Sequence, residues 1–564
     1  MSDIKSTEQT SVHWVDKVVD SIMEWKTAKK VTHLHVDDMK TPSGRVHTGA
    51  LRGVLIHDIV AQALRKTEPK LESTYVFNDM DPMDSLPGYL DQDIYQKYMG
   101  VPLFKIPKPN LAQSGIDFSQ SSPEEIHAYE ALNNFAELYA KDFIQAFQDL
   151  GATPQIVWSH ELYESGKMDE IIRFVLDHVE EVKKVYEEVA QYKLPRKWFP
   201  FQVICPQCGK VGTTLTTDWD GEQVTFECQE NKVVWAKGCG FQSKISPFGG
   251  TGKFLWKVDW PAHWQVMGVN VEGAGKDHTS AGGSRDMANE MVKKIFQSVV
   301  PFDIPYEWIL IRGTKMSSSK GVGTSAREFV QLFPKEVGRF LFVNRVSSQV
   351  IDFDPRSMAI PDLFDEFDQA ANSYWGTTES DAKLTRSFEL AHTDTIPSQH
   401  FLPRFRDIAI WMQYPEMNLP EKFAEVKGSA LTKPELEELE SRQKYAQIWL
   451  DRFANEEFQF KPKETLPDAA KKLSADQIQF LREATELIEK ENWQNRELDL
   501  QTQLYEIAKK TIGPKLAFTS IYQAFLGKNH GPRAAWFLLS IDPQLRQKRI
   551  GELNTKSVHN DGEN

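Results

Sequence analysis

Residues 42–50 combine residue types that bind phosphate. The segment reads Pro-Ser-Gly-Arg-Val-His-Thr-Gly-Ala and lies between a predicted strand and the start of a predicted helix. The start of a helix presents unpaired backbone N–H groups and the positive end of its dipole, and both favour phosphate. Gly49 allows close approach of a nucleotide, and His47 can donate to a phosphoryl oxygen as charge develops there. We therefore expect nucleotide contacts from Pro42, Ser43, Gly44, His47 and Gly49.

A second segment, residues 313–321, is short, cationic and rich in hydroxyl groups. It reads Gly-Thr-Lys-Met-Ser-Ser-Ser-Lys-Gly. A loop of this composition can close over a triphosphate and hold it through a lysine and the hydroxyl groups. The alternative is a flexible surface loop that binds nothing. On the first interpretation, the nucleotide contacts come from Lys315, Met316, Ser317 and Ser318.

The four cysteines of the chain are clustered, at Cys205, Cys208, Cys228 and Cys239. The first two belong to Cys-Pro-Gln-Cys-Gly, a tight turn typical of a zinc knuckle. Four thiolates around Zn²⁺ form a closed tetrahedral site with a structural role. Reduced free thiols are the alternative, and the loose spacing of the second pair leaves open a fourth ligand other than Cys239. A disulfide scaffold would need more cysteines and a secretory context.

These segments must be positioned by alternating strands and helices. Strands are predicted over residues 31–36 and 73–77, with a loop over 37–46 and a helix over 49–65, where apolar residues recur at helical spacing. This order predicts an α/β fold with a Rossmann-like parallel sheet. We also expect a mostly helical stretch over 123–193, then short strands and turns around the cysteines. From about residue 338 onwards the chain is predicted to be helical.

The composition is that of a soluble globular protein, with 40% apolar and 26% charged residues. The first ten residues are polar, unlike a signal peptide, and no window offers the ~18 uninterrupted apolar residues of a membrane helix. We therefore expect a cytoplasmic protein. The formal charge of −14 argues against a surface that binds nucleic acid nonspecifically.

A local basic stretch is nevertheless present over residues 501–550. It holds eight lysines and arginines against two acidic residues. A solvated helical surface and a nucleic-acid contact are both compatible with this stretch. The basic residues are Lys509, Lys510, Lys515, Lys528, Arg533, Arg546, Lys548 and Arg549.

The combination of His-x-Gly at residues 47–49 with Lys-Met-Ser-Ser-Ser at residues 315–319 resembles the two signatures of class I aminoacyl-tRNA synthetases. The intervening sequence narrows the resemblance. Residues 252–262, then Gly-Lys-Asp-His at 275–278 and Pro-Tyr-Glu at 305–307, are similar in order to class I lysyl-tRNA synthetases, a type widespread in archaea and found in some bacteria. The resemblance covers most of residues 30–550 and is weakest over 375–500.

The resemblance implies a lysine–tRNA ligase, which would form lysyl-adenylate from lysine and ATP and then transfer lysine to the 2′-hydroxyl of the terminal adenosine of tRNA(Lys). His47 and Lys315 would be catalytic, Mg²⁺ would accompany ATP, and one structural Zn²⁺ would be bound per chain. A monomer is expected.

The resemblance also implies a domain order. The two halves of the Rossmann-type catalytic domain would be residues 1–110 and 247–312, separated by a connective insertion at 111–246 that is helical and then zinc-ribbon-like over 205–240. Residues 313–345 would hold the mobile loop and a stem-contact region. Residues 346–564 would form an all-α anticodon-binding region.

A lysine substrate carries an ε-ammonium group, which needs carboxylates or aromatic faces. Asp79 and Asp81 follow the second strand, at the end where open α/β sheets bind ligands, although they could instead form a turn before Pro82. The resemblance implies that Asp277 or a neighbouring residue contacts the adenylate ribose and that His278 lies nearer the amino acid. At least one tryptophan is expected to pack in the core instead. The expected lysine contacts are Asp79, Asp81, Trp256, Trp260, His278 and Tyr306.

Proteins read RNA sequence mainly on unstacked bases, through aromatic and cationic contacts. Within the basic stretch, we expect Lys528 and Arg533 to contact tRNA. Tyr522, His530 and Trp536 are further candidates, although the apolar neighbours of Trp536 favour core packing.

The chain departs from the family pattern at several positions. Ala50 replaces the second histidine of the first signature, and Ser318 replaces the second lysine of the second. Many archaeal relatives carry a second metal cluster, whose three ligand positions correspond to Phe135, Ala136 and Asp142 here. None of these is a thiolate or an imidazole, so we expect that second cluster to be missing.

Other functions remain open. A class I synthetase for glutamate would want arginine near the strand ends, and one for cysteine would place zinc ligands throughout the chain. A small nucleotidyltransferase would not need the large helical region. A noncatalytic zinc-dependent RNA-binding protein would not need the Lys315 loop.

Overall fold

The computed structural model describes residues 13–314, 324–493 and 496–560. The chain divides into two compact units. The first comprises Met1–Asp354 together with Glu366–Pro397, and the second comprises Pro355–Asp365 together with Ser398–Asn564.

A parallel sheet forms the centre of the first unit. Its strands, with the helices before and between the first two, are α1 (Trp14–Lys29), β1 (His35–Lys40), α2 (Leu51–Leu64), β2 (Glu72–Phe77) and β3 (Gln155–Trp158). Strand β2 lies between β1 and β3. On the other side of β1, parallel bridges join Val36 to Val271 and Val271 to Phe302. The predicted α/β class with a parallel sheet is therefore confirmed.

The first strand lies further along the chain than the prediction of residues 31–36. Lys30 ends α1 in the left-handed conformation, and the Val31 N–H still donates to the Lys26 carbonyl at 3.0 Å. Strand β1 then includes Asp37 and Asp38, which pair in register with Thr74 and Tyr75 of β2. Adjacent carboxylates are rarely buried in a strand, so the sequence pattern indicated a loop at residues that belong to the sheet.

Helix α2 is buried on nearly every side, because it packs against the sheet, α1 and further helices of the unit. Polar side chains of this helix form hydrogen bonds inside the protein. Arg52 donates to the carbonyls of Val346, Ser347 and Gln349 at 2.8–3.0 Å. Such hydrogen bonding is what allows a charged side chain to be buried.

The first unit contains further helices and short strands. In chain order they are α3 (Gln92–Tyr95), α4 (Pro123–Glu130), α5 (Phe135–Asp149), α6 (Ser159–Glu164), α7 (Asp169–Asp177), α8 (Val179–Ala190), β4 (Phe201–Val203), β5 (Thr214–Trp219), β6 (Val224–Cys228), β7 (Gln242–Ile245), β8 (Gly252–Phe254), α9 (Trp256–Met267), α10 (Ser284–Lys294), β9 (Ile309–Leu310), α11 (Ala326–Val330), α12 (Lys335–Val343), β10 (Ile351–Asp352), α13 (Ala359–Trp375) and α14 (Ala382–Ala391). Helix α13 contributes residues to both units.

The small strands form separate sheets. Strands β5, β6 and β7 are antiparallel neighbours, β4 pairs antiparallel with β8, and β9 pairs parallel with β10. Strand β3 lies within residues 111–246, the range that the resemblance assigns to an insertion, yet it pairs with β2 in the central sheet.

In its described residues, the second unit is built from helices. Besides part of α13, they are α15 (Phe405–Trp411), α16 (Leu419–Lys427), α17 (Lys433–Arg452), α18 (Ala475–Lys490), α19 (Glu497–Lys510), α20 (Pro514–Phe525), α21 (Ala534–Ser540) and α22 (Pro543–Asn560). Leu481, Leu504, Ile521 and Phe537 belong to one hydrophobic core. Among all the helices described in either unit, none has the length and apolar character needed to cross a membrane.

Candidate active site

A cavity of about 440 Å³ opens at the carboxyl ends of β1 and β2. Open α/β sheets bind their ligands at this edge. The cavity brings together many of the residues singled out in the sequence. Those that line it are Ser43, His47, Gly49, Asp81, Trp256, Trp260, Asp277, His278 and Tyr306.

Other expected contacts lie elsewhere. Pro42 and Gly44 are buried in the turn beside the cavity, with Gly44 at a φ of 141°. Asp79 does not line the cavity. The loop contacts Lys315, Met316, Ser317 and Ser318 lie outside the described residues.

The turn that carries His47 pairs with the chain that follows the Lys315 segment. His47 and Ser325 form an antiparallel bridge. The Thr48 N–H donates to the Thr324 carbonyl at 3.1 Å, and the Ala326 N–H donates to the Val46 carbonyl at 2.9 Å. Backbone hydrogen bonds therefore join the turn of the first signature to residues 324–326, which follow the second signature in the chain.

The other end of the Lys315 segment is also fixed. Ile311 and Thr314 pair in an antiparallel bridge, and the Gly313 N–H donates to the Asp352 carboxylate at 2.9 Å. On the far side, Ser325 and Glu328 form a reciprocal capping box at the start of α11. Both ends of residues 315–323 are thus held by the first unit.

Asp79 and Asp81, expected to bind lysine, both have partners in the protein. Asp79 accepts hydrogen bonds from the backbone and the ring Nδ1 of His160. Asp81 forms an ion pair with Lys253 and accepts a hydrogen bond from Thr41 at 2.5 Å. Lys253 also contacts Asp259 at 2.9 Å. Burial alone would lower the pKa of Lys253, but Asp259 and Asp81 outweigh it and raise that pKa.

Three buried carboxylates that the sequence analysis did not single out lie in the cavity lining or next to it in the chain. Asp37 is fully buried, Asp38 is 7% exposed and Glu272 is 1% exposed; Asp38 and Glu272 line the cavity. In the described part of the chain, none of the three forms an ion pair with lysine or arginine. Burial raises the pKa of Asp37 to about 8 and that of Asp38 to about 7, and it raises the pKa of Glu272 well above its ordinary value.

Neutral groups position these carboxylates. Thr74 donates to Asp37, and the indole N–H groups of Trp260 and Trp264 donate to Glu272. His57 Nδ1 lies 3.8 Å from Asp38, but it donates to the Gly53 carbonyl at 2.7 Å. Burial lowers the pKa of His57 to about 4, so this histidine is neutral and does not neutralise Asp38.

Aromatic rings also line the cavity. Trp256 and Trp260 stack with centroids 5.3 Å apart, and the His278 ring lies 5.9 Å from Trp260. Tyr306 is held by its backbone, whose N–H donates to the Ala274 carbonyl at 3.2 Å. A Cβ atom at Gly53 would lie 2.7 Å from both the Tyr306 hydroxyl and Asp38, so the glycine there allows their close approach.

The four cysteine sulfurs lie within 4.8 Å of one another. The Cys205–Cys239 and Cys208–Cys228 Sγ distances are both 3.6 Å. Tetrahedral zinc with bonds of about 2.3 Å separates its sulfurs by about 3.8 Å. The donor set and the spacing therefore fit Zn²⁺, with Cys239 among the four sulfurs.

The positions that would carry the second metal cluster hold a different arrangement. Phe135 and Ala136 are buried apolar residues. Asp142 is buried 3.6 Å from the Arg327 guanidinium, and burial raises the pKa of Asp142 to about 7.

The basic stretch of the second unit divides into structural and exposed residues. Arg546 and Arg549 are buried and donate to backbone carbonyls. Lys528 does the same with the carbonyls of Glu457 and Gln459 at 2.8 and 2.7 Å. Arg533 is exposed and lies over the Trp536 ring at 5.2 Å.

A protein-family model described as tRNA synthetases class I (K) matches residues 12–394. The lysine–tRNA ligase of Methanosarcina barkeri (strain Fusaro) is 30% identical over 97% of this chain and 98% of its own length. That of Archaeoglobus fulgidus is 27% identical over 96% of this chain and 99% of its own length.

The similarity to solved structures is more distant. A glutamate–tRNA ligase from Elizabethkingia meningosepticum covers 93% of this chain and 99% of its own, at 9% identity and a TM-score of 0.39. Likeness at that level adds nothing to the sequence relationship.

Proposed function

This chain belongs to the family of class I tRNA synthetases (K), and from that premise we propose that it is a lysine–tRNA ligase. It activates lysine with ATP to give lysyl-adenylate and pyrophosphate. It then transfers the lysyl group to the 2′-hydroxyl of the terminal adenosine of tRNA(Lys). The relatives from Methanosarcina barkeri and Archaeoglobus fulgidus are both named lysine–tRNA ligases.

The observation that supports lysine as the substrate is the group of buried carboxylates at the cavity. Asp38 and Glu272 line the cavity, with Asp37 buried behind them, and no cation of the described chain pairs with them. Ionised carboxylates in such a place are unstable without a counter-charge. The ε-ammonium of lysine supplies that charge between these carboxylates and the rings of Trp256 and Trp260. A glutamate side chain would be repelled there.

Activation requires the lysine carboxylate to attack the α-phosphorus of ATP in line. The work of the protein is positioning and neutralisation of charge. The phosphate oxygens of ATP are stabilised by His47, the backbone of residues 48–50 and Lys315. ATP binds as its magnesium complex. Asp277 serves the ribose, and His278 faces the amino acid. No covalent enzyme intermediate is needed.

The cysteine cluster has a structural role in this proposal. Cys205, Cys208, Cys228 and Cys239 would hold one Zn²⁺, which would tie the turns around β6 together. The cluster is separate from the cavity lining. The metal therefore takes no part in the chemistry.

The helical second unit is assigned to anticodon binding, and the chain is taken to act as a monomer. Arg533 is the best supported tRNA contact in this unit, because it is exposed and its guanidinium lies over an aromatic ring. Cationic groups on aromatic platforms are typical of single-stranded RNA recognition.

The test is ATP–pyrophosphate exchange with each of the twenty amino acids, run with and without tRNA. We expect exchange with lysine alone. Exchange with glutamate or another amino acid would leave the synthetase assignment in place. It would contradict the proposal that the buried carboxylates bind the ε-ammonium group of lysine. A folded, zinc-replete protein that supports no exchange in either condition would overturn the proposal.

A further inference from the structure

Asp79 and His160 form an oriented carboxylate–imidazole pair outside the cavity. Asp79 is fully buried. One carboxylate oxygen accepts the His160 backbone N–H at 2.9 Å, and the other accepts the ring Nδ1–H. Both oxygens of Asp79 therefore bind His160, and they fix the rotamer and the tautomer of its ring. This is how proteins orient a histidine that must present its other nitrogen to a substrate.

The second ring nitrogen of His160, Nε2, belongs to a side chain that is partly exposed. The side chain is 22% exposed, and no hydrogen bond to Nε2 is made by any residue that the structure describes. The ring stacks on Phe104, with centroids 4.7 Å apart and planes 9° apart. The ammonium group of Lys105, which is exposed, lies 5.2 Å from the Phe104 centroid. The imidazole of His160 and the ammonium group of Lys105 thus both lie against the Phe104 ring.

This pair lies at the edge of the sheet where the reaction takes place. Asp79 comes two residues after β2, and His160 comes two residues after β3. Asp81, two residues after Asp79 in the chain, lines the cavity and is neutralised by Lys253. Backbone hydrogen bonds from Leu103 to Asp81 and from Phe104 to Asp79, each 3.0 Å, hold these groups together.

ATP and lysine occupy the cavity in the proposed reaction, so the third substrate must reach the adenylate from its rim. That substrate is the single-stranded 3′ end of a tRNA, which offers ribose hydroxyls, phosphate oxygens and unstacked bases. A cationic N–H donor beside an aromatic surface suits those groups.

We propose that His160, oriented by Asp79, donates a hydrogen bond from Nε2 to an oxygen of the 3′-terminal nucleotides of tRNA during the transfer step. This inference rests on the proposed tRNA ligase function and adds a tRNA contact to it. It also removes Asp79 from the lysine site, because both of its oxygens serve His160.

The charge of His160 follows from its surroundings. Burial alone would lower the pKa of His160, but the hydrogen bond to Asp79 and its charge, with Glu161 and Glu164, outweigh burial and raise it. The ammonium group of Lys105 is a positive group close to the Phe104 ring. The protonated donor form should therefore be lost only as the pH rises above the ordinary range of histidine.

The test compares His160→Gln with Asp79→Asn and with the matched control His178→Gln. His178 also stacks on a phenylalanine and sits beside α7, but its Nδ1 donates to the Phe174 carbonyl instead of a carboxylate. We expect the first two variants to lower kcat/KM for tRNA in aminoacylation by about 10- to 100-fold, the range for a hydrogen bond to a charged group. The KM for lysine in ATP–pyrophosphate exchange, measured with saturating tRNA, should stay within about twofold of the wild-type value.

The pH dependence separates this role from a structural one. In the wild-type protein, kcat/KM for tRNA should fall as the pH rises through the raised pKa of His160. Asp79→Asn should move this fall to lower pH, because the carboxylate that raises the pKa is lost. His160→Gln should abolish the fall, and His160→Lys should restore much of the tRNA efficiency if the cation is what matters.

Two results would overturn the proposal. One is wild-type tRNA efficiency in a His160→Gln protein that melts at the wild-type temperature. The other is a raised KM for lysine in Asp79→Asn, which would return Asp79 to the lysine site. If the wild-type protein supports no lysine-dependent exchange, the ligase assignment fails instead, and direct titration of the variants with labelled tRNA still measures the contact.

Discussion

His47 and Ser325 lie opposite each other in an antiparallel bridge, although most of the first unit separates them in sequence. Thr48 strengthens this junction, because its hydroxyl donates to the carbonyls of Thr324 and Ser325 at 3.0 and 3.2 Å. The turn that carries His47 is therefore joined to Thr324 and Ser325, which follow the Lys315 segment in the chain. A displacement of Thr324 and Ser325 should therefore displace the turn that carries His47, and the reverse.

Thr48→Val should slow lysine activation without preventing folding. The substitution keeps the shape of the buried side chain and removes its hydrogen bonds to the chain after the Lys315 segment. We expect kcat for exchange to fall about tenfold, equivalent to about 1.4 kcal/mol, with a smaller change in the KM for lysine. The matched control is Thr502→Val, which removes a helix-surface hydroxyl bond to Leu498. An equal fall of kcat in Thr502→Val, or no fall in Thr48→Val, would show that the hydrogen bonds of Thr48 do not support lysine activation.

Asp38→Asn should weaken the binding of lysine but not that of ATP. The amide keeps an oxygen for the Met39 N–H, which donates to Asp38 at 2.9 Å, but it removes the negative charge beside the cavity. We expect the KM for lysine to rise about 30-fold, equivalent to about 2 kcal/mol, while the KM for ATP changes little. Asp142→Asn is the control, because Asp142 is also a buried carboxylate of raised pKa but lies outside the cavity lining. A parallel rise in the two variants would show a general loss of folding.

Lysine binding should strengthen as the pH rises from about 6 to about 8. Burial raises the pKa of Asp38 to about 7 and that of Asp37 to about 8, so both are partly protonated at the lower end of this range. The ammonium ion favours the ionised forms, and its binding must release protons until the pH exceeds both pKa values. The measurement is kcat/KM for lysine against pH. In Asp38→Asn the rise should shrink; an unchanged profile would exclude Asp38 as its source.

The sequence predicted the sheet and much of the cavity because both follow local patterns. The Gly-flanked turn at His47 and the residues Asp277 and His278 have recognisable neighbours in sequence, and the fold brings them to one place. The buried carboxylates at the cavity were missed for a physical reason. Asp37 and Asp38 break the rule that strands bury apolar residues, and such breaks are expected where a ligand supplies the missing charge.

The partners of Asp79 and Asp81 could not be derived from sequence. Lys253 lies 172 residues from Asp81 and His160 lies 81 residues from Asp79. The local sequence pattern does not distinguish a carboxylate that is paired with another side chain of the protein from one that binds the ammonium group of a substrate. Only the tertiary structure separates these two aspartates from Asp38 and Glu272.

Metal removal should expose the cysteines and destabilise the first unit. Cys239 is exposed, so its thiol should react quickly with a thiol reagent unless a metal holds it. We expect one zinc per chain, slow thiol reaction in the native protein, and rapid reaction of all four thiols with a lower Tm after chelation. Cys239→Ser should lose most of the metal, whereas Ser243→Ala on the neighbouring strand should keep it. Rapid reaction of Cys239 in untreated protein would contradict a metal at this site.

Arg533 and Lys528, both expected to contact tRNA, should behave differently when replaced. Arg533 is exposed, and in the described part of the chain its guanidinium forms no ion pair. Arg533→Ala should raise the KM for tRNA about tenfold, reduce its salt dependence, and leave the KM for lysine in exchange nearly unchanged.

Lys528→Ala removes a donor to two backbone carbonyls and an ammonium group 5.0 Å from the Phe460 centroid. Its main effect should be a lower Tm, because two carbonyls lose their partner. If tRNA binding falls equally in both variants while the Tm of each is unchanged, Lys528 also reaches the RNA, and its backbone contacts must open when tRNA binds. A selective loss in Arg533→Ala assigns the contact to the exposed guanidinium and leaves Lys528 as a support for the chain around Phe460.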